Sequence, residues 1–597
     1  MKVENGTKLF STFKPFQTRT MNRFLFFLLS LMVLPTWAQD QEPYLSNQTY
    51  TYDELIAEYQ KLEEQHPEMC DLQSHGYSDY GKEMRLFIIS KNGFEPSNFK
   101  NKTVILINNA IHPGEPCGVD ASVKLSKDLL ANPHTISEEV VIAIIPIYNI
   151  GGAHNRNCCS RTNQNGPEEY GFRGNAKNLD LNRDFIKADS KNTAAFYKIF
   201  HLLNPHIFID THTSNGADYQ HTMTLITSQV NKMNPLLKSY TEENLNPYLF
   251  KMMESNGYPM VPYVHSVDKI PDNGIMDYLE TPRYSTGYTN LFNTISYVSE
   301  AHMLKSYEDR VESTYLLLTL IHQYAKEHSK ELRELKQKAD LEIAQKNEFT
   351  ISWKLDTTKY EMIDFMGYEA EYKPSNVSGA DRLFYNHEKP FTKQIKYFNH
   401  YKATAVVQRP NYYIIPKAWE KIVDLLKANK VVVYELNQET EMDVEMYYIA
   451  SFETIKKPYE GHYLHHSVQV QKENKKMIYQ AGDYAVPCKS INARFIVETL
   501  EPHATDSYLA WNYFDAILQQ KEWYSPYVFE DEAAELLKTD KQLKARFDQK
   551  LKEDEAFAKD PSQQLYFIFK NSVHYEPTHN LYPIARYNGE IGSDQIK

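Results

Sequence analysis

Over the first 350 positions, short unbroken apolar runs alternate with amphipathic stretches. Residues 103–107 and 140–145 are β-branched and uninterrupted, the pattern of strands buried on both faces. Residues 85–90, 206–209 and 295–298 read as further strands. Between them, 51–66 places Leu55, Ile56, Tyr59 and Leu62 on one helical face, and 120–130 does the same with Val123, Leu129 and Leu130. Residues 191–203 form another helix, and one long charged helix is expected over roughly 308–344. Strands alternating with helices predict an α/β fold, a mixed, mostly parallel sheet flanked by helices and joined by right-handed crossovers. Residues 151–180 have no period and many Gly, Asn and Arg, so they form a long irregular loop, and such loops inside a compact domain are commonly functional.

Beyond 348 the texture changes. Strand-like runs at 403–407, 431–436, 467–471 and 477–480 mix with helices expected at 418–428, 507–520 and 531–551. This is the pattern of an α+β region, and it gives three segments: a leader at 1–38, an α/β domain over 39–347 and a C-terminal region over 348–597. The aromatic pairs Trp511…Phe514 and Trp523-Tyr524 read as core.

Composition is that of a globular protein, and a net charge of −13 argues against nucleic acid as a partner. Met21-Asn22-Arg23, the apolar run 24–34 and Pro35-Thr36-Trp37-Ala38 have the order of a signal peptide cleaved after Ala38. That run is too short to span a bilayer, and no second one is long enough, so the mature protein is expected to be exported, periplasmic or extracellular, without stable membrane insertion. Five cysteines leave at least one thiol outside any internal pair. Their pairing is not readable, and the vicinal Cys158-Cys159 is read as incidental.

The chemistry begins at the end of the 103–107 strand, in Asn109-Ala110-Ile111-His112-Pro113-Gly114-Glu115. Turns beyond the carboxyl ends of strands are where ligands collect in open α/β sheets. An imidazole and a carboxylate three residues apart can share one metal ion. The spacing alone is weak: His328…Glu331 repeats it on a solvated helical face. The first copy gains weight from Asp180-Leu181-Asn182-Arg183 at the end of the irregular loop, His212 at one strand end and Glu300 at another.

Taken in that order, these residues resemble the zinc carboxypeptidase family, over roughly residues 45–330; nothing comparable extends over the C-terminal half. The resemblance implies one zinc ion held by His112, Glu115 and His212, with a coordination position left for water. It assigns to Asp180 the bond to the far nitrogen of a zinc histidine, the alternative being an Asx turn before Leu181. It makes Glu300 the general base that activates the zinc water, and Asn182 and Arg183 the grip on a substrate's terminal carboxylate. Arg173, ten positions before Arg183, takes the place of the oxyanion-stabilising arginine, with Arg161 and Arg156 as substitutes in the same loop. Tyr284 is the candidate for the tyrosine that caps the substrate, with Tyr288 in reserve. Arg283 is left open between favouring acidic substrates and a second carboxylate clamp.

The function implied is an exported zinc-dependent metallocarboxypeptidase acting on peptides with a free C-terminus. Two other readings stay open. One is an amidase on cell-wall peptides or N-acyl amino acids using the same zinc site. The other is a catalytically dead protein that binds peptides or glycans.

Overall fold

The computed structural model describes residues 42–597, so the leader expected at 1–38 lies outside the described residues. Its organising element is an eight-stranded sheet built from β1 (Cys70–Tyr77), β2 (Glu83–Ile89), β3 (Thr103–Asn108), β4 (Val140–Ile145), β5 (Ile207–Ser214), β6 (Met223–Thr227), β7 (Val261–Pro262) and β8 (Ile295–His302). The spatial order is β1-β2-β4-β3-β5-β8-β6-β7. The central four, β4-β3-β5-β8, are parallel, and antiparallel pairs enter at β1/β2, β2/β4 and β8/β6. Every residue of β3, β4 and β5 is buried, which is why their sequences run on without alternation.

Helices cover both faces. On one side lie α1 (Tyr52–Gln65), α2 (Cys117–Ala131) and α4 (Tyr307–Glu327), packing Leu55, Leu125, Leu130, Val311 and Leu318 against Ile105, Ile107 and Ile144. A capping box between Thr51 and Glu54 starts α1. On the other side, α3 (Lys191–Leu203) sets Phe196 and Phe200 against Leu106 and Phe208. From there the buried side chains continue through Tyr288 and Phe292 into Phe495, Leu500 and Trp511. Residues 43–597 thus form one compact unit in which residues beyond 347 complete one of the sheet's two cores.

Beyond α5 (Ser329–Gln345) the chain makes a ribbon of Glu348–Leu355 with Tyr401–Gln408 and a long hairpin of Glu361–Pro374 with Asp381–Phe398. A six-stranded sheet follows, with Tyr434–Glu435 at one edge and, at the other, His465–Tyr479 paired to Thr440–Thr454. A group of helices from Pro526 to Lys570 has its own small core. Among the described residues no helix is long and apolar enough to cross a membrane.

Several expected elements differ. The single helix over 308–344 is two, α4 and α5, parted at His328, because Ser329 is drawn onto β3: Thr103 Oγ1 donates to the Ser329 carbonyl at 2.8 Å. Residues 507–520 are turns ending in a short 3-10 helix, Asp515–Leu518; Asn512, at φ 65°, breaks the helix that the aromatic spacing suggested. The helix over 531–551 divides into Pro526–Thr539 and Lys541–Glu553, with Asp540 capping the second through the amides of Gln542 and Leu543. The strand over 431–436 shrinks to Tyr434–Glu435. Trp511 is core, whereas Trp523 is 64% exposed and stacks on Tyr524 and Tyr566. Cys158 and Cys159 are disulfide-bonded to each other, and Cys70, Cys117 and Cys488 are buried thiols.

Candidate metal centre and peptide site

The turn after β3 is held in shape by its neighbours. Ala110 adopts a left-handed φ of 52°. Asn109 donates to Ser122 Oγ on α2 and accepts from Thr211 Oγ1 on β5. Gly114 leaves room for Arg161, since a Cβ there would lie 2.8 Å from Arg161 Cδ and push that side chain aside. The turn thereby delivers His112 and Glu115, each 3% exposed, to the carboxyl end of the sheet.

His212 comes from β5 and Glu300 from β8, at positions paired in parallel register, so their side chains leave the same face side by side. His112 Nδ1 and His212 Nδ1 are 3.1 Å apart. Glu115 Oε2 is 3.0 Å from His212 Nδ1, and Oε1 is 3.5 Å from His112 Nδ1. Among the described residues these three alone form a cluster whose donor atoms all lie within 4.8 Å of one another.

The far side of each ring faces a carboxylate: His112 Nε2 is 2.9 Å from Asp180 Oδ1, and His212 Nε2 is 3.2 Å from Asp210 Oδ2. Each ring is therefore fixed with Nδ1 turned to the cluster, as a metal-ligating histidine requires. Two imidazoles and one carboxylate fit zinc. Asp180 does both things the sequence allowed, since Oδ1 also accepts from the Asn182 amide at 2.9 Å and closes the turn Leu181–Arg183. From the sequence Asp210 enters only as a bonding partner of His212 in a metal-free alternative; residues two apart on a strand share a face, and Asp210 and His212 are so spaced.

Burial raises the Glu115 carboxyl, but the Arg161 guanidinium and His112 outweigh it and hold the group well below the usual carboxylate range. The contacts are direct: Arg161 Nη1 donates to Glu115 Oε1 at 2.5 Å, and Arg173 Nη1 does so at 3.3 Å. Asp180 is likewise buried, yet His112, Arg173 and Arg183 keep its pKa far below normal. Burial pushes the Glu300 carboxyl the other way, up to about 7, with Glu115 adding to the rise against His212, Arg161 and Arg173.

Beside the cluster opens a cavity of about 350 Å³, lined by His112, Glu115, His212, Glu300, Arg161, Arg173, Asn182, Arg183 and Tyr284, with Thr213, Ser214, Asn215, Tyr263, Tyr278, Ser285, Thr286, Ile226 and Val298 completing its walls. Arg183 donates to the Asn182 carbonyl at 2.7 Å, and its guanidinium lies 4.4 Å from the centre of the Tyr284 ring. Asn182 Oδ1 accepts from the Ser285 amide, tying the turn to the segment that carries Tyr284. Tyr278 meets Tyr284 at 5.4 Å. Tyr263 and Tyr278 lie in a stretch without periodicity, and no local signal marks them.

Three sequence candidates fall outside the cavity. Tyr288 is fully buried, its hydroxyl donating to Asn429 Oδ1 at 2.5 Å, so it is core. Arg156 donates to the carbonyls of Thr49, Tyr50 and Glu169 and shapes the loop. Arg283 points away from the cavity: Nε and Nη2 reach Asp506 Oδ1 at 2.8 and 2.7 Å, and the guanidinium packs over Trp511. It is a tie to the C-terminal region, neither a second clamp nor a determinant for acidic substrates.

A search of the curated proteins returns no match. Among solved structures, the chain resembles a metallo-carboxypeptidase from Burkholderia cenocepacia (17% identity, covering 46% of this chain and 70% of that one, TM-score 0.34). It also resembles a metallo-carboxypeptidase from Pseudomonas aeruginosa (13% identity, 45% and 68%, TM-score 0.35) and a carboxypeptidase A from Helicoverpa armigera (13% identity, 49% and 74%, TM-score 0.35). Residues 55–199 match the family model described as zinc carboxypeptidase, a span holding His112, Glu115, Arg173, Asp180, Asn182 and Arg183 and ending before His212 and Glu300. The segment that carries His112, Glu115 and Asp180 is thus similar to a zinc carboxypeptidase domain, and the match ends short of the rest of the chain.

Proposed function

We propose that the protein is an exported zinc metallocarboxypeptidase that removes C-terminal residues from peptides. The observation that carries this reading is the convergence of His112, Glu115 and His212 beside Glu300 and Arg183 in one cavity. Zinc, when bound by those three residues, supplies Lewis-acid polarisation of a carbonyl and makes a water more acidic.

The rest of the chemistry falls to the chain. Arg183, with Asn182 beside it, binds the substrate's terminal carboxylate, a planar guanidinium being suited to two parallel hydrogen bonds. This orients the last peptide bond toward the cluster. Glu300, ionised, takes a proton from the attacking water and returns it to the leaving amine. Arg173, 45% exposed at its side chain, faces the cavity beside Glu115 and is placed to meet developing negative charge on the carbonyl oxygen. Tyr284 stacks on Arg183 and closes over the bound terminus. A leader ending at Ala38 accounts for export.

The test is release of the last residue from an unblocked peptide set against the same peptide amidated, a cell-wall peptide and an N-acyl amino acid. Preference for the unblocked peptide supports the reading. Turnover of only the cell-wall peptide or the acyl amino acid makes the protein an amidase, and binding without turnover of any substrate makes it a dead receptor.

A further inference from the structure

The C-terminal half reaches the metal centre through Glu460, which bonds the backbone of Asp180. Between the strands Thr440–Thr454 and His465–Tyr479, the chain folds into a two-residue turn, with Tyr459 and His462 exchanging both backbone hydrogen bonds around Glu460 and Gly461. Both central residues have positive φ, 50° and 82°, as a type I′ turn demands. Asn, Asp and Gly adopt that backbone readily; glutamate does so at a cost. Such strain persists where the surroundings make use of it.

Here the use is a contact. Glu460 Oε2 accepts the backbone N–H of Asp180 at 2.6 Å. The Asp180 carboxylate is meanwhile spent on the site, with Oδ1 toward His112 Nε2 and the Asn182 amide, and Oδ2 taking Arg173 Nε at 3.0 Å. Glu460 therefore fixes the main chain of the residue whose side chain fixes His112. Its own arm is anchored separately. His462 Nε2 lies 2.7 Å from Asp189 Oδ2, Tyr459 packs beside the Arg283 guanidinium, and Gly461 sits against Leu179.

Resting on the metal-centre reading above, we propose that Glu460 is a positioning residue for the zinc site, acting through the backbone of Asp180 to hold His112 in its ligating orientation. The C-terminal region is then part of the metal centre, across 280 positions of sequence.

The experiment measures zinc affinity of the full chain by competition with a chromophoric chelator, for the unsubstituted protein, Glu460→Gln, Glu460→Asp and Glu460→Ala, with His112→Ala as control. Removing a partner one step behind a metal ligand weakens binding by roughly tenfold or more, and Glu460 stands one step further back, behind Asp180, so a loss of up to about tenfold is the scale for it. Glu460→Ala is expected to show that loss. Glu460→Gln keeps an acceptor of the same reach and is expected within about twofold of the unsubstituted protein. Glu460→Asp suits the left-handed backbone better, so the turn folds, but its carboxylate is one methylene short, and zinc binding is expected to weaken several-fold. Unchanged affinity in both the Ala and Asp variants overturns the proposal and leaves the metal-centre reading intact. Failure of the unsubstituted protein to bind zinc more tightly than His112→Ala overturns the metal-centre reading itself.

Discussion

Replacing Arg283 with alanine separates a structural arginine from a substrate clamp. Asp506 is 1% exposed, and among the described residues the hydrogen bonds to its carboxylate come from Arg283: Nε at 2.8 Å, Nη2 at 2.7 Å and the backbone N–H at 2.9 Å. Alanine keeps only the last. Leaving one partner of a buried pair unpaired costs about 3–5 kcal/mol. Loss of the guanidinium packed 5.0 Å from the Trp511 ring adds up to about 1 kcal/mol. Against a typical total of about 5–15 kcal/mol, Arg283→Ala should lower the denaturant midpoint sharply. Removing the stranded charge as well, in Arg283→Ala/Asp506→Ala, should recover part of the loss. KM values for peptides ending in acidic and neutral residues should move together in the folded fraction. A stable Arg283→Ala protein with KM raised selectively for acidic peptides would make Arg283 a substrate clamp after all.

Other expectations follow from the site. Glu300→Gln should lower kcat/KM by about 10²–10⁴ with zinc retained, as for the loss of a general base; near-native activity in that variant removes Glu300 from the mechanism. Glu300 must be ionised to accept a proton. Burial raises its pKa to about 7, and a dication beside it acts in the opposite direction, so activity should fall as pH drops, in a one-proton limb at or below about pH 7; a flat profile from pH 4 to 7 contradicts the assignment. Arg183→Ala should cost about 1.5–3 kcal/mol, roughly 10–150-fold in kcat/KM, on peptides with a free terminus, and little on amidated ones.

What could be read from the letters was what is local. Strands β3 and β4 stood out because burial on both faces leaves no polar position to interrupt them. His112, Glu115, His212 and Glu300 were legible because they lie beyond or near the carboxyl ends of such strands, where side chains converge. Asp180, Asn182 and Arg183 were legible through their order relative to those four. The direction of Arg283 was not, because it is set by Asp506, 223 positions away. Nor was the contact from Glu460, since a turn between two strands far along the chain carries no mark of what it meets. The aromatic spacing of Trp511 and Phe514 suggested a helix, yet two successive turns against one core bury both rings just as well. Tyr278 joined the cavity from a stretch with no period to read.

The most direct test of the central claim is to count metal and follow C-terminal trimming on the same sample, as purified, after chelation and after reloading with zinc. One zinc ion per chain, loss of trimming when it is removed and recovery when it returns are the expected results. Undiminished trimming by the metal-free protein, or zinc bound in full by a His112→Ala/His212→Ala variant, would contradict that claim.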